Sequence, residues 1–117
     1  MTDFLPCKIQ ITFNFGKQIK RLSKRYRSIK SDLRSTVQQI EAGELPGDRV
    51  TNIGFVVMKV RVQNSNIKKG KSGGYRLIYW QVSKELVVLL DIYSKSDRAD
   101  IDAASIHRII EQFEAES

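Results

Sequence analysis

The sequence is poor in the residues that carry much of familiar enzyme chemistry. It has one cysteine, Cys7, and one histidine, His107, in 117 residues. A lone thiol builds no disulfide framework, and one imidazole beside it cannot complete a Cys/His zinc site. A Ser–His–Asp triad would have to use His107, which stands in a helical pattern far from any nucleophile elbow. Cys7 opens a strand-like run and reads as a small buried apolar residue. Membrane-spanning runs are also missing, since no apolar stretch approaches the roughly 20 residues a spanning helix needs. Residues 1–7 carry Asp3 and no signal pattern, so cytoplasmic residence is expected. The Walker pattern GxxxxGK[ST] is absent, and no internal repeat or low-complexity tail is found.

Acids are scarce where bases are dense. The formal net charge is +7, which favours a polyanionic partner. Residues 17–34 hold eight cations and a single acid, Asp32, while residues 59–76 hold six cations and none. Residues 97–116 hold six acids against Arg98 and Arg108. The basic surface is therefore local, and the length fits one domain over residues 1–117.

Hydrophobic periodicity gives the elements. Ile9, Ile11 and Phe13 alternate with polar residues, predicting a first strand with one buried face. Asn14 then offers a helix cap. From Ile19 through Leu22, Tyr26, Ile29, Leu33 and Val37 to Ile40, apolar residues recur at spacings of three and four, an amphipathic stripe that ends at Gly43. Polar residues around Ser28 predict a break near residues 26–28, hence two helices packed as a hairpin. Their outer faces carry Lys20, Lys24 and Arg25 among other cations, a face suited to nucleic acid or an acidic protein. Residues 44–54 contain Pro46, Gly47 and Gly54 and read as a loop. At the other end, Asp100 or Asp102 can cap a last helix whose stripe is Ile106, Ile109, Ile110 and Phe113.

The centre of the chain carries the functional signal. Residues 55–62, 75–82 and 86–93 read as strands. Lys59 and Arg61 point to one face while Met58, Val60 and Val62 point to the other, so one face is core and the other charged. The short polar break at residues 83–85 makes the second and third strands an antiparallel hairpin, which places Arg76 roughly opposite Ile92 and Tyr93. Counting across the longer connection puts Arg61 near Arg76. Lys59, Arg61, Arg76, Tyr93 and Lys95 then converge on one end of a sheet. Like charges side by side destabilise a sheet, so an anionic ligand explains the cluster better than stability does. Lys68, Lys69 and Lys71, in the glycine-rich connection, are candidate phosphate contacts.

With these residues in view, the chain resembles the RelE/ParE superfamily of type II toxins, in its RelE-like and HigB-like branch. The likeness rests on FGKQIKRLSKRYRSIKSDL, FVVMKVRV, KKGKSGGYRLIYW and LLDIYSKSDRADI, in that order. It implies an α+β, RelE-like fold: an N-terminal strand, a helical hairpin, a twisted antiparallel sheet and a C-terminal helix. It also implies a ribosome-dependent mRNA endoribonuclease that needs no cofactor or metal and is neutralised by a cognate antitoxin protein. Lys59, Arg61 and Arg76 match the family's basic strand positions. Two positions depart from the pattern: Ser96 replaces a usual arginine, and Asp102 stands where an aromatic or stacking residue is usual. Tyr93 and Lys95 are the expected substitutes.

The expected chemistry is attack of the RNA 2′-OH on its own phosphate, with Lys59 or Lys95 as base and Arg61 and Arg76 on the phosphate. Tyr93 is expected to stack on a base or orient the phosphate. Two other classes remain compatible with the sequence. One is a ParE-like gyrase poison that cleaves nothing, and the other is an RNA- or ribosome-binding module without catalysis.

Overall fold

The computed structural model describes residues 7–67 and 73–116. Lys68, Lys69 and Lys71 lie outside the described residues. The chain runs β1 (Lys8–Ile11), α1 (Phe13–Arg25), α2 (Ile29–Glu41), β2 (Asp48–Arg49), β3 (Val57–Val62), β4 (Tyr75–Ser83), β5 (Leu86–Ser94) and α3 (Ala103–Glu116). The helical hairpin breaks where its polar residues stand. The cap of α1 differs from expectation: it is Thr12, whose Oγ1 accepts from Phe15 N at 2.9 Å and donates to Leu90 O at 2.9 Å. Asn14 lies inside the first turn and donates to the same carbonyl at 3.0 Å, tying the helix start to β5.

One sheet of order β1-β5-β4-β3-β2 organises the chain. The expected all-antiparallel arrangement needs correction, because β1 lies parallel to β5, from Lys8 beside Leu86 to Ile11 beside Leu89. Strands joined by a long crossover can lie parallel, and here the whole helical hairpin and three strands intervene. The 44–54 loop holds one further strand, β2, which pairs Asp48 with Lys59 and Arg49 with Met58. Residues 55 and 56 stay outside β3, since Asn52 and Gly54 have positive φ and turn the chain just before it.

Two apolar layers sandwich the sheet. Against one face, Leu22, Ile29, Leu33 and Ile40 of α1 and α2 pack on Met58, Val62, Tyr75, Leu77, Leu89 and Ile92. On the other, Ile106 and Ile110 of α3 cover Val57, Ile78, Trp80, Val88 and Leu90. The face bearing Lys59 is thus not wholly charged, as alternation implied; its α3-covered half is core and its other end carries the cations.

A register shift between Ile78 and Tyr79 decides which face Tyr93 occupies. Ile78 faces Asp91 while Tyr79 faces Leu89, so Leu90 is extra and the alternation of β5 changes phase there. Tyr93 consequently joins Val88 and Leu90 on the α3 face, and Ile92 joins Leu89 on the other. A second shift, between Gln81 and Ser83, restores the count.

Candidate functional site

At the edge of the α3 cover, two rows of side chains cross the sheet. In the first, Lys59 on β3 neighbours Ile78 on β4, which neighbours Asp91 on β5; in the second, Arg61 neighbours Arg76, which neighbours Tyr93. The structure therefore brings Lys59, Arg61, Arg76 and Tyr93 together, and Lys95 follows directly after β5. Its backbone N donates to Gly74 O at 2.8 Å, which fastens the chain beyond β5 to the start of β4. Gly74 has φ +123°, and a Cβ there would lie 2.6 Å from Val62 O, so glycine permits this close joint.

Arg76 is the unusual member. It is 8% exposed, and its Nη1 donates to the Tyr75 carbonyl at 3.3 Å. Among the described residues no carboxylate forms an ion pair with Arg76 or Arg61. The acids that could have balanced Arg76 are engaged elsewhere. Asp91 accepts from Arg98 Nη1 at 3.3 Å, and Asp97 takes two bonds of 2.9 Å from Arg25 Nη1. Buried charges are ordinarily paired, so a buried guanidinium without an acid, cross-strand from a second arginine, leaves donors suited to a phosphate.

Lys59 differs from its neighbours in having an acid. Its Nζ lies 2.9 Å from Asp100 Oδ1, and the Tyr93 hydroxyl donates to the same oxygen at 3.4 Å. The Lys59 contact, with the amide of Ile101, holds the Asp100 carboxyl below its ordinary range. Lys95 Nζ donates to Ala99 O at 2.7 Å. Burial, with the Asp100 charge, pushes the Tyr93 phenol up to about 12, and Arg76 and Arg98 oppose that rise. The ring of Tyr93 is buried, and the Arg98 guanidinium sits over it at 5.4 Å. Its hydroxyl edge, not an open ring face, is what Tyr93 offers to a ligand.

Three residues outside the expected site set shape the site: Asp91, Arg98 and Asp100. Arg98 lies two positions after Ser96 and brings a guanidinium to the Tyr93 ring, whereas Ser96 bonds to Ser94 at 2.8 Å. Asp91 sits almost wholly buried and holds Arg98. Burial raises its carboxyl above the ordinary range, opposed by Asn14, Arg98 and the Ile92 amide. The mixed charges of the last loop were visible in sequence, but loops carry no periodicity from which convergence can be read.

The remaining candidates fall on the helical side. Lys20 and Lys24 are exposed on α1. Arg25 closes on Asp97 and bonds the Tyr26 hydroxyl at 2.8 Å, which clamps α1 to the loop after β5. Asp102, in the family's stacking position, caps α3 by accepting from Ser105 N at 2.8 Å. His107 donates to Ile53 O at 2.6 Å and packs on Phe55, a structural placement. Among the described residues no group of three or more His, Cys, Asp or Glu side chains stands close enough to hold a metal ion, and no helix is long and apolar enough to cross a membrane.

The fold is α+β, a five-stranded sheet between helices, with two cross-strand arginines at its rim. Residues 13–113 match the family described as the RelE toxin of the RelE/RelB toxin–antitoxin system, and the chain belongs to that family. It is accordingly a toxin-type subunit whose partner is an antitoxin. No curated protein matches the sequence.

Proposed function

We propose that this toxin is an mRNA endoribonuclease that acts on the ribosome, and that the rim formed by Lys59, Arg61, Arg76, Tyr93 and Lys95 is its cleavage site. The observation that carries this reading is the pair Arg61 and Arg76. They are adjacent across two strands, Arg76 is buried, and neither has a carboxylate partner among the described residues. A phosphodiester supplies the missing charge, and two guanidinium forks can grip its oxygens as negative charge builds on the phosphorane.

The reaction assigned to the site is intramolecular. The 2′-OH attacks the adjacent phosphorus, a P–O bond forms to give a 2′,3′-cyclic phosphate, and the bond to the 5′ oxygen breaks. Lys59 or Lys95 is assigned as the base for the 2′-proton, and a protonated group at the opposite end supplies one to the leaving oxygen. The Tyr93 hydroxyl orients the phosphate from the β5 side. Lys20 and Lys24, with Lys68, Lys69 and Lys71, supply non-specific attraction to ribosomal and messenger RNA.

A ribosome-programmed cleavage assay with chelator present tests the reading. Wild type is expected to cut the mRNA, and a folded Lys59→Ala/Arg76→Ala double variant to leave it whole and to permit growth. Full toxicity of that variant would remove this rim from consideration. DNA damage on expression, with translation initially intact, would point instead to a gyrase poison.

A further inference from the structure

One carboxylate among the described residues lies inside the cation cluster. Asp100 stands on the loop between β5 and α3. Its Oδ1 accepts from Lys59 Nζ at 2.9 Å, from the Tyr93 hydroxyl at 3.4 Å and from Ile101 N at 2.8 Å. Lys59 belongs to β3 and Tyr93 to β5, so this one oxygen joins groups on either side of β4. The β4 strand carries Arg76, the cross-strand neighbour of Tyr93. An anionic oxygen that collects an ammonium and a hydroxyl beside an unpaired arginine has the surroundings a phosphate oxygen requires.

We propose that Asp100 is an internal placeholder: its carboxylate takes the position of a substrate phosphate oxygen, and RNA must displace it to engage Lys59 and Tyr93. The proposal rests on reading the rim as a phosphate site, and it adds how that site is guarded. Two observations separate it from a purely structural role. The cap of α3 is already supplied by Asp102, which bonds Ser105 N, so Asp100 is not needed to start the helix. The pair is also open to water, with the Asp100 side chain 64% exposed and that of Lys59 34% exposed. Exposed ion pairs hold weakly, so a phosphate gripped at once by Lys59, Arg61 and Arg76 displaces a single carboxylate.

The loop is shaped to return the carboxylate once RNA leaves. Lys95 Nζ bonds Ala99 O, one residue before Asp100, and Arg25 holds Asp97. The carboxylate is therefore tethered beside Lys59 and competes as an intramolecular ligand. A loosely held strand meets that competition unaided, whereas an RNA fixed in place by a large scaffold does not have to bear the whole cost of alignment.

The test measures binding of a short RNA oligonucleotide, 2′-deoxy at the scissile position, by fluorescence anisotropy over a range of salt. Asp100→Asn keeps an acceptor for Ile101 N and removes the charge. It is expected to bind about two- to five-fold more tightly, the range for losing one exposed pair. Its log–log salt slope should stay close to that of wild type, because the same cations meet the strand once the carboxylate is displaced. KM in ribosome-programmed cleavage should fall in parallel. Asp102→Asn, which removes the same charge from a carboxylate that caps α3, is expected to bind as wild type does. Asp100→Ser serves as a second variant if Asp100→Asn melts early. Unchanged or weaker binding by the Asp100 variants, or equal tightening by Asp102→Asn, overturns the proposal. If wild type leaves programmed mRNA uncut, the nuclease reading fails by itself, while the oligonucleotide measurement still decides the role of Asp100.

Discussion

Arg61 and Arg76 face each other across β3 and β4, and neither meets a carboxylate among the described residues. Directly opposed like charges destabilise a strand pair, and burying one of them adds the loss of its hydration. The chain keeps both, and under the proposed function the same relationship that burdens the fold would receive the RNA phosphate.

Replacement of Arg76 should therefore separate stability from function. Arg76→Met retains the apolar stem and removes the charge, so the unfolding free energy is expected to stay level or to rise by about 1 kcal/mol. Cleavage should fall by about 10²- to 10³-fold, the usual effect of removing one donor from a developing anion. Urea unfolding and the ribosome-programmed assay on one preparation check both. A less stable variant with full activity would make Arg76 a structural residue.

At the junction of α1 with the sheet one hydroxyl makes two bonds. Thr12 is 4% exposed and both caps the helix and bonds Leu90 O. Thr12→Ala is expected to cost about 2 kcal/mol, the upper end for a cap that is also a buried hydrogen bond, while Thr12→Ser should recover most of it. Because the chain has one tryptophan, Trp80, buried between β4 and α3, its fluorescence reports the denaturation midpoint. Equal losses for alanine and serine would show that the methyl group matters and the hydroxyl does not.

Asp91 gives a pH dependence whose sign is fixed by its raised carboxyl. In the folded chain this group binds its proton more firmly than in the unfolded chain. Its contribution to stability is then fully present below the ordinary carboxylate range, near about pH 4, and is lost as pH rises through the elevated folded value. Asp91→Asn removes that loss. Its stability relative to wild type should climb as pH is raised from about 4 towards neutrality. A flat or falling difference would mean that Arg98 compensates the buried charge fully.

Gly74 links the start of β4 to Lys95, and its φ of +123° places any added Cβ against Val62 O. Gly74→Ala is expected to destabilise by more than about 1 kcal/mol, because the native conformation does not suit an alanine. Activity should fall further than stability explains, since Tyr75 and Arg76 follow at once. An alanine variant with wild-type melting and wild-type cleavage would show that this joint adjusts freely.

Much of the architecture was legible along the chain. The stripe from Ile19 to Ile40, interrupted by polar residues around Ser28, specified two helices because side chains three and four apart share a helical face. The short break at Ser83, Lys84 and Glu85 fixed the hairpin, and counting from it set Arg76 roughly against Ile92 and Tyr93, of which the structure selects Tyr93. That count held although β5 contains an extra residue at Leu90, since the irregularity between Gln81 and Ser83 cancels it. The change of phase that carries Tyr93 to the α3 face had no sequence signal. A bulge is chosen by how both faces pack, and neither strand announces it alone.

What the residue order determined, then, was the set of elements apart from β2 and the segregation of cations onto adjoining strands, because helix and strand periods are local properties of the backbone. The tertiary structure alone decided that β1 lies parallel to β5, that Asp97 answers Arg25 and Asp91 answers Arg98, and that Asp100 closes on Lys59 and Tyr93. Those pairings join side chains far apart in the chain or brought together by an aperiodic loop. Their partners are selected by three-dimensional distance and burial, on which a linear pattern is silent.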